Sequence, residues 1–127
     1  LMKFHHIGIA TKDLKSSLEF VQKNFEVLEV SEEIFDENQN ATLQMIKTKD
    51  LNIELVSGKV VEKLIASKIT YYHICYEVED IYGKIEEFQK NGGAMLVSSV
   101  KPAILFDNRL VAFLMTPLGL VELLNAN

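Results

Sequence analysis

The sequence has little of what would indicate a secreted, membrane-bound or nucleic-acid-binding protein. A single cysteine, Cys75, excludes an internal disulfide framework and fits a reducing compartment. No apolar run approaches the roughly 18–20 residues that span a bilayer, and the first residues lack a signal-peptide pattern. The net charge is −5 and no basic cluster stands out, so neither nucleic acid nor a membrane is expected as a partner. We expect a cytoplasmic protein.

What remains is the composition of an ordinary globular domain. The chain has 127 residues, of which 48% are hydrophobic and 24% charged, and this balance is typical of soluble proteins. A chain of this length buries about two-thirds of its unfolded surface, which is enough for one core. No low-complexity segment or long linker interrupts it. A single domain over residues 1–127 is therefore predicted.

Two stretches of the chain repeat each other at a fixed spacing. Seven identities share an offset of 67 residues: His6/His73, Ile7/Ile74, Asp13/Asp80, Glu19/Glu86, Gln22/Gln89, Lys23/Lys90 and Asn24/Asn91. Further on, Glu54-Leu55 corresponds to Glu122-Leu123 at an offset of 68. A duplicated module that places one histidine and one glutamate twice can bring two imidazoles and two carboxylates together around a pseudo-twofold axis. The repeat therefore predicts a divalent-metal site.

Hydrophobic periodicity predicts the same order of elements in both modules, a strand, a helix and three strands. In the first module, about 3–58, a helix begins after Asp13, and its apolar stripe is formed by Leu14, Leu18, Val21 and Phe25. The strands of that module are predicted over 3–10, 26–35, 43–48 and 51–57.

A short connecting helix, about 59–68, leads to the second module, about 69–125. Its helix begins after Asp80 and ends at Gly92-Gly93, because glycine tolerates the left-handed conformation that closes helices. The strands of this module are predicted over 71–78, 94–100, 109–115 and 120–124.

Strand alternation places the ionisable side chains of the repeat on one face. Glu54, His73 and Glu122 each lie between two apolar neighbours, which would face the helices. Imidazole nitrogen and carboxylate oxygen suit Zn, Ni, Co, Mn or Fe(II), and two His with two Glu leave open positions on an octahedral ion. A catalytic metal needs such an open position. We predict that one divalent ion, whose identity the donor set does not fix, is held by His6, Glu54, His73 and Glu122.

Other polar residues near the repeat have structural explanations. His5 is turned away from His6 by strand alternation, and Asp13 and Asp80 are best explained as helix caps. Cys75 shares the face of His73, where a small buried side chain is the expected role.

Several of these stretches resemble the vicinal oxygen chelate superfamily. They are residues 4–10 (FHHIGIA), 52–55 (NIEL), 72–81 (YHICYEVEDI), 109–114 (RLVAFL) and 120–123 (LVEL). The superfamily includes lactoylglutathione lyase (glyoxalase), methylmalonyl-CoA epimerase, bleomycin-resistance proteins and extradiol dioxygenases. The resemblance implies an α+β, glyoxalase-like fold of two tandem βαβββ modules that form a curved mixed sheet around a metal cleft. It also matches the four residues of the repeat to the family's ligand positions, His6, Glu54, His73 and Glu122.

Within the superfamily, residues 62–73 (EKLIASKITYYH) and 108–114 (NRLVAFL) resemble the epimerase branch. The sequence departs from that branch at residues 38–41, and the additional third-strand carboxylate of some epimerases has no counterpart, Gln44 or Thr42 being nearest. The resemblance implies an enzyme that abstracts a proton next to a carbonyl and stabilises the enolate on a divalent metal. Glu122 is the expected base, with Glu54 as its partner.

Three alternatives stay open at this level. A lactoylglutathione lyase acting on a glutathione hemithioacetal would use the same ligands. A non-catalytic, bleomycin-resistance-like binding protein generally lacks the full ligand set. An iron-dependent extradiol dioxygenase uses two His and one carboxylate, so that Glu54 would crowd the iron.

The substrate is expected to be an anionic thioester, for which Arg109 and Asn108, at the mouth of a strand, are predicted binding residues. The resemblance leaves open whether the cleft is built within one chain or across a homodimer.

Overall fold

The structure is a computed structural model that describes residues 1–127 and has an α+β fold with ten strands. The strands are β1 (Met2–Ala10), β2 (Val27–Val30), β3 (Ile34–Asp36), β4 (Ala41–Thr48), β5 (Asn52–Gly58), β6 (Tyr71–Val78), β7 (Met95–Leu96), β8 (Lys101–Ala103), β9 (Arg109–Thr116) and β10 (Gly119–Asn125). The helices are α1 (Leu14–Asn24), α2 (Glu62–Ala66) and α3 (Ile81–Asn91), with 3-10 turns at Lys59–Val61 and Ile104–Phe106. None of the helices is long and apolar enough to cross a membrane.

The backbone contacts divide the chain into two compact units. One unit is His6–Tyr72, and the other consists of Leu1–His5 with His73–Asn127. These limits lie close to the predicted modules, and the interpretation of residues 1–127 as one domain stays a prediction.

In the unit His6–Tyr72 the strands follow the order β2-β4-β5-β1, with β3 paired to β4. β1 and β5 are parallel, and the other pairs are antiparallel. Helix α1 covers one face of this sheet because its apolar stripe packs against alternate strand residues; the buried members of that core are Leu14, Val21, Ile46, Ile53 and Leu55. The other alternate residues of the same strands point to the opposite face of the sheet, away from α1.

The second unit repeats this arrangement with the strand order β6-β10-β9-β7 and with β8 paired to β9. β6 and β10 are parallel, and β9 is antiparallel to β10. Helix α3 packs on one face of the sheet, and the buried members of this core are Val78, Ile81, Ile85, Ala112, Leu114, Val121 and Leu123.

Both predicted helix starts are confirmed. Asp13 Oδ1 accepts a hydrogen bond from Ser16 N at 3.2 Å, and Asp80 Oδ1 accepts one from Gly83 N at 3.2 Å. Each carboxylate satisfies a backbone N–H that has no partner within the helix. The predicted end of α3 is confirmed as well, since Gly92 follows Asn91 with φ +84°.

The second strand predicted in each module is wrong in its extent. Residues 26–35 form β2 and β3, since three residues, Ser31–Glu33, lie opposite two residues of β4. Ser31 anchors this bulge: its backbone N–H donates to Met45 O and its hydroxyl accepts from Met45 N, both at 2.9 Å. Residues 97–100 likewise lie opposite only two residues of β9, which separates β7 from β8. Residues in excess of those on the facing strand interrupt the ladder of backbone hydrogen bonds between the two strands.

Two helix predictions also need correction. Phe25 was predicted on the apolar stripe of α1, but the helix ends at Asn24 and Phe25 is extended and 43% exposed. Its backbone N–H donates to Val21 O at 2.8 Å, and the Asn24 side chain donates to Phe20 O at 2.9 Å, so the last turn is closed before Phe25. The predicted connecting helix over 59–68 is a 3-10 turn followed by the five residues of α2.

Candidate functional site

In the first unit, His6 on β1 and Glu54 on β5 form a buried pair. His6 Nε2 lies 3.7 Å from Glu54 Oε1, and the residues are 0% and 2% exposed. The two strands run parallel, and Gly8 is the β1 residue in register with Glu54. Gly8 is buried and presents no side chain to the carboxylate on the neighbouring strand. The prediction that Glu54 points away from the helix face agrees with this pairing.

In the second unit, His73 on β6 and Glu122 on β10 form the corresponding pair. His73 Nε2 lies 3.0 Å from Glu122 Oε1, with exposures of 0% and 2%. Cys75 is in register with Glu122, as Gly8 is with Glu54. The ring of Phe113 meets the His73 imidazole edge-on, with centroids 5.4 Å apart and planes at 85°. Edge-on contacts of this kind are a favoured geometry for aromatic rings, so the contact restrains one side of the imidazole.

The repeat extends to residues that the sequence analysis did not single out. Met45 is in register with Glu54 on β4, and Phe113 is in register with Glu122 on β9. The spacing of Met45 and Phe113 is 68 (113 − 45), the same as that of the two glutamates (122 − 54). The regular offset was the signal that could have found them, but their side chains differ, so identity alone did not reveal the correspondence.

The two pairs have donor atoms that suit a metal ion. Burying a carboxylate or an imidazolium is costly unless an opposite charge or a hydrogen-bonding group compensates it. Each unit combines one imidazole nitrogen and one carboxylate oxygen inside an apolar sheet face, and such donors are typical ligands of Zn, Mn, Co, Ni and Fe(II). The residues present therefore fit a divalent ion of this class.

Arg109, predicted to bind substrate, has a protein partner. Its Nη1 donates to Glu77 Oε2 at 2.7 Å and to the Ala126 carbonyl at 3.0 Å. Asn108 precedes it with φ +64°, and its backbone N–H donates to the Ala103 carbonyl at 2.9 Å. A substrate carboxylate would have to compete with Glu77, and the substrate-binding role of Arg109 and Asn108 stays a prediction.

The Arg109 guanidinium lowers the pKa of Glu77, chiefly through its hydrogen bond and against the opposing effect of burial. A carboxyl group whose pKa is lowered on folding stabilises the folded state at pH values above its unfolded-state pKa, and that contribution is lost as the pH falls through its folded-state pKa.

At about pH 7 we expect Glu77→Gln to be less stable than the wild type by about 1 kcal/mol or less, since the pair is partly solvated. The difference should shrink as the pH is lowered below the usual carboxyl range and the pKa of folded Glu77 is approached, as urea unfolding over a series of acidic pH values would show. Glu79→Gln, an exposed neighbour, is the control. A gap that does not change with pH would contradict the assignment.

The structural roles expected of Cys75 and His5 stay predictions, because their donor atoms lie within 4.8 Å of each other and of a donor atom of His6. Cys75 is buried, is in no disulfide and packs with Ala103, Val111 and Leu124. His5 is half-buried and meets the Phe106 ring edge-on, with centroids 5.3 Å apart.

Comparison with known proteins agrees with this architecture. The model of the glyoxalase/bleomycin resistance protein/dioxygenase superfamily matches residues 5–113, which confirms the resemblance predicted from the sequence. No curated protein matches the chain.

Three solved structures illustrate the fold. A hypothetical protein from Bacillus halodurans C-125 is 24% identical with a TM-score of 0.77, over 99% of this chain and 95% of that one. Methylmalonyl-CoA epimerase from Mycobacterium tuberculosis is 18% identical with a TM-score of 0.82, over 98% and 87%. A superfamily member from Vibrio splendidus 12B01 is 14% identical with a TM-score of 0.54, over 98% and 99%. At these identities the likeness shows the fold, and it confirms the predicted α+β class.

Proposed function

Because this chain belongs to the glyoxalase/bleomycin resistance protein/dioxygenase superfamily, we propose that His6, Glu54, His73 and Glu122 together hold one divalent ion in a metal-dependent enzyme. The observation that supports this proposal best is the duplication of a buried His–Glu pair, once on β1 and β5 and once on β6 and β10. A single buried pair can be a structural feature. Two such pairs at matching strand positions double the number of suitable donors.

The reaction we propose is proton transfer at a carbon next to a carbonyl group, as in methylmalonyl-CoA epimerase. A bound divalent ion would polarise the carbonyl and stabilise the negative charge that develops on its oxygen. Glu122 is the proposed base that takes the proton, and Glu54 is its partner in the other unit. Glu122 is buried, as are Phe113, in register with it on β9, and Leu124, on the same face of β10.

The fate of the proton separates the two leading activities. Return of the proton to the opposite face of the same carbon gives epimerisation, and return to the neighbouring carbon gives the isomerisation of a glutathione hemithioacetal. The same donors and base serve both reactions. A third outcome, binding without turnover, would correspond to a bleomycin-resistance-like protein.

One experiment distinguishes these outcomes. Purified protein, loaded in turn with Ni, Co, Mn or Zn, is incubated in deuterated water with a panel of acyl-CoA thioesters and glutathione hemithioacetals. Deuterium entering the carbon next to the thioester carbonyl, with inversion, supports the epimerase; formation of a hydroxyacyl-glutathione supports the lyase. Tight binding of a panel member without exchange would contradict the enzymatic proposal.

We also propose that Arg109 contributes to recognition of an anionic substrate. It is the only arginine of the sequence, and guanidinium can bind a carboxylate through two parallel hydrogen bonds. Arg109→Ala should raise KM about tenfold, the loss of roughly one charge-assisted hydrogen bond, with unchanged metal content. Glu77→Gln should lower KM, because it removes the competing carboxylate. Lys101→Ala, an exposed cation on β8, is the control. Unchanged kinetics in Arg109→Ala would limit this residue to its ion pair.

A homodimer and a cytoplasmic location complete the proposal. Light scattering on the eluting protein, with and without metal, would test the dimer, and a monomer that is fully active would contradict it.

A further inference from the structure

A cavity of about 410 Å³ lies in the unit that contains α3, on the helix side of its sheet. Its walls include Tyr76, Phe88, Pro117, Leu118 and Val121. Val121 precedes Glu122 on β10, and adjacent strand residues point to opposite faces, so this cavity is separate from the His73–Glu122 pair. We call it the apolar pocket.

The apolar pocket is open because the two residues that follow α3 are glycines, which have no side chains to fill it. Gly92 and Gly93 follow the helix with φ +84° and +81°, conformations that L residues rarely adopt. A Cβ atom at Gly92 would meet nothing within 4 Å, and one at Gly93 would meet only Pro117 at 3.7 Å. The opposite wall is the β9–β10 turn, which is held by hydrogen bonds from Thr116 Oγ1 to the Gly119 carbonyl at 2.9 Å and from Leu118 N to Thr116 Oγ1 at 3.0 Å. The turn is therefore ordered by its own hydrogen bonds, and the glycines put no side chain into the space that faces it.

The lining indicates what the apolar pocket would bind. Its volume is within the roughly 300–1,000 Å³ of small-molecule sites, and such sites combine apolar walls with a few polar groups. The rings of Phe88 and Tyr76 offer aromatic surface, and Tyr76 is held by an edge-on contact with Phe4 at 6.1 Å. Two polar groups of the lining, the Tyr76 hydroxyl and the Asn91 carboxamide, make no hydrogen bond to the protein.

The charge at this end of the helix selects among ligands. Asn91 is the last residue of α3, where the unpaired carbonyl groups carry partial negative charge. An anion is disfavoured there, whereas a neutral hydroxyl or amide can donate to, or accept from, Asn91 and Tyr76. We propose that the apolar pocket is a second binding site, for a small neutral aromatic molecule that carries one hydroxyl or amide group.

The test uses two probes of the same shape and different charge, 2-naphthol and 2-naphthoate, titrated into isotopically labelled protein and followed by NMR. Saturable shifts of the Gly92, Gly93 and Leu118 amides with 2-naphthol, and binding of 2-naphthoate about 2–5-fold weaker, are expected. No saturable shift at these amides, or tighter binding of the anion, would overturn the proposal.

Three variants locate the binding. Ala94→Leu adds methylene groups to the lining and should weaken 2-naphthol binding by about tenfold or more. Asn91→Ala, at an exposed position that tolerates substitution, should weaken it about 2–10-fold through the lost hydrogen bond. Phe20→Ala removes an exposed aromatic ring on α1 and should change nothing. Equal affinity in the wild type and Asn91→Ala, or a loss in Phe20→Ala, would show that the probe binds elsewhere.

Discussion

Alanine in place of His73 should abolish tight metal binding. Loss of an outer-shell partner alone typically costs 10–100-fold in metal affinity, so the loss of a direct ligand should weaken binding by more than about 100-fold. The Glu122 carboxylate would then lack its buried imidazole partner, 3.0 Å away in the wild type. Elemental analysis after dialysis, together with calorimetric titration of the metal, measures the effect.

His5→Ala is the matched control. His5 is adjacent to His6 and is the same residue type, but its ring packs against Phe106. We expect His5→Ala to bind the metal like the wild type, and His6→Ala to lose it like His73→Ala. A variant of His6 or His73 that retains a stoichiometric ion with unchanged affinity would contradict the proposed ligand set.

Stoichiometry provides an independent check of the shared ion. If the two His–Glu pairs hold one ion, the wild type binds one ion per chain and alanine at either histidine, His6 or His73, removes it. Two ions per chain, each lost separately with its own pair, would mean that the pairs act as two sites.

Glu122→Gln should strongly reduce turnover while the metal is retained. Glutamine keeps the shape and one oxygen donor of glutamate but has no basicity, so the rate should fall by about 10²–10⁴-fold if Glu122 is the proton-transferring base. Glu122 is 2% exposed and lies on the same face of β10 as Leu124, which is fully buried, so solvent does not offer a replacement base. Initial rates and deuterium exchange at the carbon next to the carbonyl, each with metal content determined on the same sample, measure the effect.

Glu54→Gln is the informative comparison for this prediction. It is the corresponding residue of the other unit, equally buried, and in register with Met45 in place of Phe113. If Glu122 is the base, Glu54→Gln should reduce exchange less than Glu122→Gln does. Full turnover in Glu122→Gln together with a large loss in Glu54→Gln would assign the base to Glu54.

The sequence predicted best what depends on local or repeated patterns. Asp13 and Asp80 could be identified as caps because a cap is decided within one helical turn. The two His–Glu pairs were visible because the duplication preserved their identities at offsets of 67 and 68. Strand alternation then gave the face on which Glu54 and Glu122 lie.

The errors arise where distant residues decide the structure. The break after Leu96 depends on how many residues of β9 lie opposite the segment, and hydrophobicity alone does not encode that count. Phe25 continues the apolar spacing of α1, but the turn is closed before it. The pairing of Arg109 with Glu77 joins residues 32 positions apart, so the sequence suggested an available cation that the fold already uses.

Met45 and Phe113 occupy corresponding positions in the two modules but are different types of residue. Two identical halves would place the same side chain beside each glutamate. A flexible thioether beside one carboxylate and a rigid ring beside the other end that equivalence. Beside Glu54 the first unit has a neighbour that can adjust its rotamers, whereas beside Glu122 the second unit has a rigid aromatic surface. The two glutamates therefore have different surroundings although their positions in the strands correspond, and the same substitution at each is expected to have unequal effects.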